Sequence, residues 1–272
     1  MKVRTMFHGV VGVIVLAGAA FVFLCALLYW RQENFLFHPG PNDAELRRTW
    51  QDRRVEIRSG SVRLEGWWAD NPQAPGSAVI LYFGGNAEDV LYTAATSAPR
   101  LAARRMLVVN YRGFGGSEGT PGQRALFEDA LAIYDYAIAS GVRPEDIVVM
   151  GRSLGSGVAT MLASKRTVRS AVLITPYDSI AEVAAHHYAI FPVRWLIRHP
   201  FPSTEFAQHV HVPALMLAGA RDFIIPPVHA QRLHDAWAGP RQLHVLPGVG
   251  HNDIQDHPQY YALINAFLTG AS

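Results

Sequence analysis

Ile147-Val148-Val149-Met150-Gly151-Arg152-Ser153-Leu154-Gly155 reads as a short buried strand that ends on a glycine-flanked turn and reopens at once as a helix. The first four residues are apolar and β-branched or large, as in a strand covered on both faces. From Leu154 to Arg166 the apolar residues recur at helical spacing. The turn between them matches G-x-S-x-G. A serine on such a turn is held above the sheet in a strained backbone conformation, and its glycines let neighbouring elements approach closely. The helix that follows offers its N-terminal end to developing negative charge. A glycine-rich turn that merely closes a strand–helix unit has the same local pattern; the strand before it and the helix after it favour a nucleophile.

Outward from this unit, strands and helices alternate. Val55–Arg58 and Val62–Ala69 read as an antiparallel pair, and Val79–Phe83, Met106–Asn110, Val172–Ile174, Leu215–Ala218 and Leu243–Leu246 as further buried strands. Helical patterns cover Glu88–Arg104, Ala125–Ser140, Val228–Ala238 and Pro258–Phe267. Alternation of this kind specifies an α/β class with a mostly parallel, doubly wound sheet.

A serine hydroxyl needs a base to take its proton and usually an acid to orient that base. On sheets carrying this turn the partners follow in the order serine, acid, histidine. Asp222, in Gly219-Ala220-Arg221-Asp222, follows a buried strand, at the sheet edge where ligands are handled. Asp178, after the preceding strand, is the rival acid. His251, in Gly248-Val249-Gly250-His251, follows the last strand and is expected to be the base. His244 lies in a strand, His257 at a helix start, and His229 and His234 on a helix expected at the surface. Phe83-Gly84-Gly85-Asn86-Ala87 follows the strand that supplies one oxyanion donor in such sites; the N–H groups of Asn86 and Leu154 are the expected pair.

The chain of 272 residues is half hydrophobic, with a formal net charge of only +2 spread along it. That charge gives no support to nucleic-acid binding. The single cysteine, Cys25, excludes an intrachain disulfide and leaves no cysteine nucleophile in the globular part. His186-His187 and His209-Val210-His211 lack further ligands at recognisable spacing, so no metal and no cofactor are expected. His38 and Asp43 stand at an H-x-x-x-x-D spacing, but Pro39, Gly40 and Pro41 fill the interval.

From Thr5 to Trp30 there is no Asp, Glu, Lys or Arg. Some twenty residues at about 1.5 Å each span a bilayer core of roughly 30 Å, so residues 10–30 are expected to form a single-pass anchor that localises the protein to a membrane. A cleaved signal peptide would need less apolar sequence after Ala17-Gly18-Ala19. Lys2 and Arg4 on one side are nearly balanced by Arg31, Arg47 and Arg48 on the other, which leaves both orientations open. The expected organisation is a tail (1–9), the anchor (10–30), a linker (31–52) broken by His38-Pro39-Gly40-Pro41, and one domain (53–272).

Within that domain, residues 176–212 form a cap insertion rich in Tyr188, Phe191, Trp195, Leu196, Phe201 and Phe206. These side chains either line an apolar site or glue the cap to the core. Arg194 and Arg198 are placed to meet a phosphate or carboxylate, or face solvent.

The chain resembles the Bem46-like membrane-anchored serine hydrolases, the α/β-hydrolase domain-containing 12, 13 and 17 group. The resemblance rests on the anchor, Glu33-Asn34-Phe35-Leu36-Phe37-His38-Pro39, Tyr82-Phe83-Gly84-Gly85-Asn86-Ala87, Asn110-Tyr111-Arg112-Gly113-Phe114-Gly115-Gly116-Ser117, the Ser153 turn, Asp222 and Gly250-His251. It implies the α/β-hydrolase fold, with about eight strands, helices on both faces and a small helical cap. It also implies a Ser153–Asp222–His251 triad and hydrolysis of esters or thioesters, often of lipid-like acyl groups. Gly84 departs from the family, whose members usually carry His there. A peptidase on the same scaffold and a non-catalytic membrane-tethered binding module are the alternatives.

Overall fold

The computed structural model describes residues 2–270, with side chains from Met6 onward. Eight strands form one sheet: β1 (Arg54–Ser59), β2 (Val62–Asp70), β3 (Val79–Phe83), β4 (Arg105–Val109), β5 (Ile147–Arg152), β6 (Ser170–Ile174), β7 (Ala214–Gly219) and β8 (Arg241–Leu246). Their order is β1-β2-β4-β3-β5-β6-β7-β8, with β2 antiparallel to both neighbours and every pair from β4 to β8 parallel. All eight expected strands are present. β5, the strand that carries the serine turn, is central.

The helices are α1 (Lys2–Leu36), α2 (Ala44–Thr49), α3 (Val90–Ser97), α4 (Gln123–Ala139), α5 (Leu154–Lys165), α6 (Ile180–His187), α7 (Val193–Leu196), α8 (Ser203–Ala207), α9 (Pro227–Ala236) and α10 (Tyr260–Thr269). Successive strand residues point to opposite faces. Leu81, Phe83, Val149 and Leu173 therefore join the core under α4 and α5, while Ile80, Tyr82, Val148 and Val172 join the core under α3 and α10. Two apolar layers thus clamp the parallel strands, as their uninterrupted hydrophobic runs require.

Several boundaries differ from the sequence reading. α1 is continuous from Lys2 to Leu36, where a tail, a 10–30 span and the start of a linker were expected. Charged residues after Trp30 do not stop a helix; Pro39 is the first breaker. The expected linker also contains α2, whose N-cap Asp43 accepts hydrogen bonds from Glu45 N (2.9 Å) and Leu46 N (3.0 Å). That cap is what Asp43 does in place of an H-x-x-x-x-D role. α3 stops at Ser97 because Pro99 turns the remaining expected helix into a single 3₁₀ turn. β8 is an edge strand, mostly half-buried or exposed, and not the buried strand its apolar residues suggested. α9 is not wholly a surface helix either: His229 is 0% exposed.

The Asn110–Ser117 motif follows β4 and wraps the buried carboxylate of Glu65, which accepts from Gly116 N (2.9 Å) and Asn110 Nδ2 (3.2 Å) and pairs with Arg54 and Arg47. A Cβ on Gly116 would lie 2.5 Å from that carboxylate. This segment is a structural clasp between β2 and β4.

Both glycines of the serine turn are fixed by contact distances. A Cβ on Gly155 would lie 2.0 Å from the carbonyl oxygen of Phe83, and one on Gly151 would lie 2.2 Å from the carbonyl oxygen of Gly155. Backbone cannot yield as a side-chain tip can, so Gly155→Ala is expected to cost about 4 kcal/mol or more, the range of severe core lesions. Thermal unfolding of the purified variant checks this; a melting temperature equal to wild type would refute the contact.

Candidate active site

Ser153 sits between β5 and α5 with φ +50° and ψ −118°. A non-glycine residue in that region costs about 1–3 kcal/mol and persists only where its surroundings over-determine it. Here Ser153 N donates to Ile174 O at the end of β6 (2.9 Å), and Ser153 O accepts from Ser156 N (2.9 Å) and Ser156 Oγ (2.7 Å).

Asp222 lies three residues beyond β7 and is 3% exposed. Its Oδ1 accepts from Ile224 N (2.9 Å) and Ile225 N (2.7 Å), so the side chain closes its own loop. Its Oδ2 lies 2.7 Å from His251 Nδ1. His251 reaches this position because its loop folds back over the end of β7: Arg221 N donates to Val249 O, and a Cβ on Gly219 would lie 2.6 Å from the carbonyl oxygen of Gly250. The other ring nitrogen, Nε2, is 2.9 Å from Ser153 Oγ. A carboxylate only accepts, so the proton sits on Nδ1 and Nε2 is left to accept from the serine hydroxyl. Three residues that are far apart in sequence, Ser153, Asp222 and His251, therefore form one hydrogen-bonded line.

Asp178, the rival acid, is engaged elsewhere. It holds His229 Nδ1 (2.8 Å), Ser179 N (2.7 Å) and Arg232 Nη1 (3.1 Å). Burial pushes its carboxyl up, but the hydrogen bonds from His229, Ser179 and Arg232 outweigh burial and hold it below the usual carboxylate range.

The loop after β3 runs beside the serine: a Cβ on Gly85 would be 3.6 Å from Ser153 Cβ. The Asn86 side chain accepts from His38 N (2.7 Å), while Ala87 N donates to His38 O (2.9 Å). The His38-Pro39 segment thereby pins the loop. The backbone N–H groups of Asn86 and Leu154 donate to no protein acceptor among the described residues. Gly84 is enclosed: a Cβ there would lie 2.5 Å from Val90 Cγ1, and its carbonyl accepts from Tyr111 Oη (2.8 Å). With Val90 in place this loop holds glycine where the Bem46-like pattern has histidine.

Residues 78–198 match the alpha/beta hydrolase fold family. The uncharacterized protein Rv2307c of Mycobacterium tuberculosis is 35% identical over 252 residues, covering 89% of each chain. The chain belongs to the α/β-hydrolase family. Lysophosphatidylserine lipase ABHD12 of Macaca fascicularis is 29% identical over 237 residues, which span 74% of this chain and 58% of that one. Among solved structures, the Pyrococcus furiosus esterase Pf2001 superposes with a TM-score of 0.67 at 17% identity, over 86% of this chain and 98% of the esterase.

Two residues of this α/β hydrolase were missed by the sequence reading. Glu88 accepts from Gly85 N (2.6 Å), Tyr82 Oη (2.7 Å) and Thr93 Oγ1 (2.5 Å), and pairs with Arg152 Nη1 (3.3 Å). Arg152 Nη2 continues to His251 O (3.1 Å) and Asn252 Oδ1 (3.4 Å). One ion pair therefore ties the loop after β3, the serine turn and the His251 loop together. Burial, and then the neighbouring Glu88 carboxylate, push the Tyr82 phenol well above its ordinary range, so it stays a donor. The only sequence signal was a charged residue at the variable position of G-x-S-x-G.

Removing one partner of a buried ion pair leaves the other uncompensated. Glu88→Ala is expected to destabilise the fold by about 3 kcal/mol, measured by thermal unfolding. Asp178 carries a separate pH signature. Its carboxyl titrates below the unfolded value of about 3.9, so its stabilisation is complete above that pH and drains away on acidification through the lower folded value. The difference in unfolding free energy between wild type and Asp178→Asn should therefore shrink as pH falls below about 4.

Proposed function

We propose that this α/β hydrolase is a serine hydrolase that cleaves carboxylic ester or thioester bonds of apolar, lipid-like acyl substrates. The observation that carries the reading is the Asp222–His251–Ser153 line, with contacts of 2.7 and 2.9 Å. In the proposed reaction His251 Nε2 takes the Ser153 hydroxyl proton as Oγ attacks the acyl carbonyl. Asp222 keeps the proton on Nδ1 and stabilises the imidazolium that forms. The carbonyl oxygen becomes an oxyanion, for which the free N–H groups of Asn86 and Leu154 and the α5 N-terminus are suitable donors. His251 then returns the proton to the leaving alcohol or thiol, and water attacks the acyl-enzyme by the same route in reverse.

The lipid-like class is supported by two further facts. The curated relative ABHD12 is named as a lysophosphatidylserine lipase. In addition, Met6–Leu36 is a helix long and apolar enough to cross a membrane, and its most apolar stretch is not buried against the protein. We read residues 10–30 as a single-pass anchor, 53–272 as the hydrolase domain and 176–212 as its cap.

A fluorophosphonate probe should label the wild-type chain and fail to label Ser153→Ala. Turnover of a short nitrophenyl ester should fall about 10⁴-fold in Asp222→Asn, through loss of the correct tautomer, and stay near wild type in Asp178→Asn. Labelling that survives in Ser153→Ala would reject the assignment of the nucleophile.

A further inference from the structure

The apolar helix α1 does not stand free of the hydrolase domain. Phe21, Cys25, Leu28, Gln32 and Leu36 fall on one face at spacings of four, three, four and four residues. Of these, Cys25, Leu28, Gln32 and Leu36 are half-buried, whereas most of the helix is exposed. The Phe21 ring stacks on Phe191 of the cap, with centroids 5.6 Å apart and planes 4° from parallel. Nearer the domain, Gln32 Nε2 donates to Leu196 O (3.1 Å) and Gln32 Oε1 accepts from Arg198 N (2.7 Å). Glu33 Oε1 is 3.2 Å from both Arg198 Nη2 and His199 Nε2, and the Arg198 guanidinium lies 5.4 Å from the Tyr29 ring centre.

Depth follows from these contacts. Phe21 precedes Arg31, the first charged residue after the apolar run, by ten residues, or about 15 Å of helix. That is half of a hydrocarbon core of roughly 30 Å. A cap segment stacked on Phe21 cannot remain clear of a bilayer that α1 crosses.

The cap surface at that place suits the same solvent. Ile190 is 76% exposed and Trp195 89%, with Tyr188 exposed beside them. The patch continues to Phe223 (82%) and Ile224, the two residues after Asp222, which the contact between His187 Nε2 and Ile224 O (2.9 Å) joins to α6. The nearby cations are compensated: Arg194 pairs with Glu182 (2.5 Å) and Arg198 with Glu33. Exposed apolar patches of this kind mark an interaction surface, and Trp and Tyr favour the membrane boundary.

We propose that the cap edge from Tyr188 to Trp195, together with Phe223 and Ile224, is immersed in the lipid bilayer crossed by α1, so that acyl substrates reach the Asp222 side of the site directly from the lipid phase. The last clause rests on the hydrolase reading; the immersion itself does not.

The full chain is reconstituted in phosphatidylcholine vesicles with or without bromine on the acyl chains. Trp195 emission, taken as wild type minus Trp195→Phe, should fall about twofold or more in the brominated vesicles. Ile190→Asp should lower turnover of a vesicle-borne long-chain ester about tenfold, because a carboxylate is disfavoured in hydrocarbon, and leave turnover of a short soluble ester unchanged. Unquenched Trp195 emission would overturn the proposal, as would an equal loss on both esters. Blue-shifted but unquenched emission accompanied by cross-linked dimers would assign the patch to a second copy and overturn it as well. A wild-type chain that turns over neither ester would defeat the hydrolase reading, while the quenching measurement would still decide the immersion.

Discussion

A backbone crossing with no room for a methyl group governs the site. The start of α5 passes so close to the end of β3 that Gly155 meets the Phe83 carbonyl, and Gly151 in turn meets the Gly155 carbonyl. Within this passage Ser153 adopts φ +50°, a conformation that persists only where its surroundings over-determine it. The same proximity brings the loop after β3 beside the serine.

Electrostatics then locks the loops that the crossing brings near. Asp222 spends one carboxylate oxygen on its own loop and the other on His251, so neither its orientation nor the histidine tautomer is left to solvent. Glu88 and Arg152 perform a comparable service across three loops, from the Gly85 N–H to the His251 carbonyl. Such a buried pair gives little net stability, but breaking it leaves one uncompensated charge. His38-Pro39 adds a tether from outside the domain, linking the end of α1 to the Asn86 loop. The segment that joins the apolar helix to the domain therefore also holds the loop after β3 in place.

Most of the architecture was legible from apolar periodicity. Parallel strands buried on both faces write uninterrupted runs such as Val79–Phe83 and Ile147–Met150, whereas β1 and β2 showed as an antiparallel pair of short runs around a turn. Edge strand β8 misled because its apolar residues read as burial when one side had no neighbour. Helix ends misled where a single proline, Pro99, or the lack of one before Pro39 outweighed the pattern. His229 misled because a polar residue on a helix reads as exposed until its buried partner, Asp178, is seen.

By itself the sequence determined where the candidate residues stand relative to the strands: a serine after one strand, an aspartate after a later one and a histidine after the last, each marked by glycines. Those marks are local, because a tight turn or a close approach demands glycine wherever it occurs. Asp222 and Asp178 both follow buried strands, and only the tertiary structure shows which histidine each one meets: His251 for Asp222 and His229 for Asp178. It alone revealed Glu88 and Arg152, whose partners lie 64 and about 100 positions apart in the chain. It alone set the cap against Phe21. Contacts between distant segments are selected by geometry and burial across the whole fold, and no local pattern of residues records them.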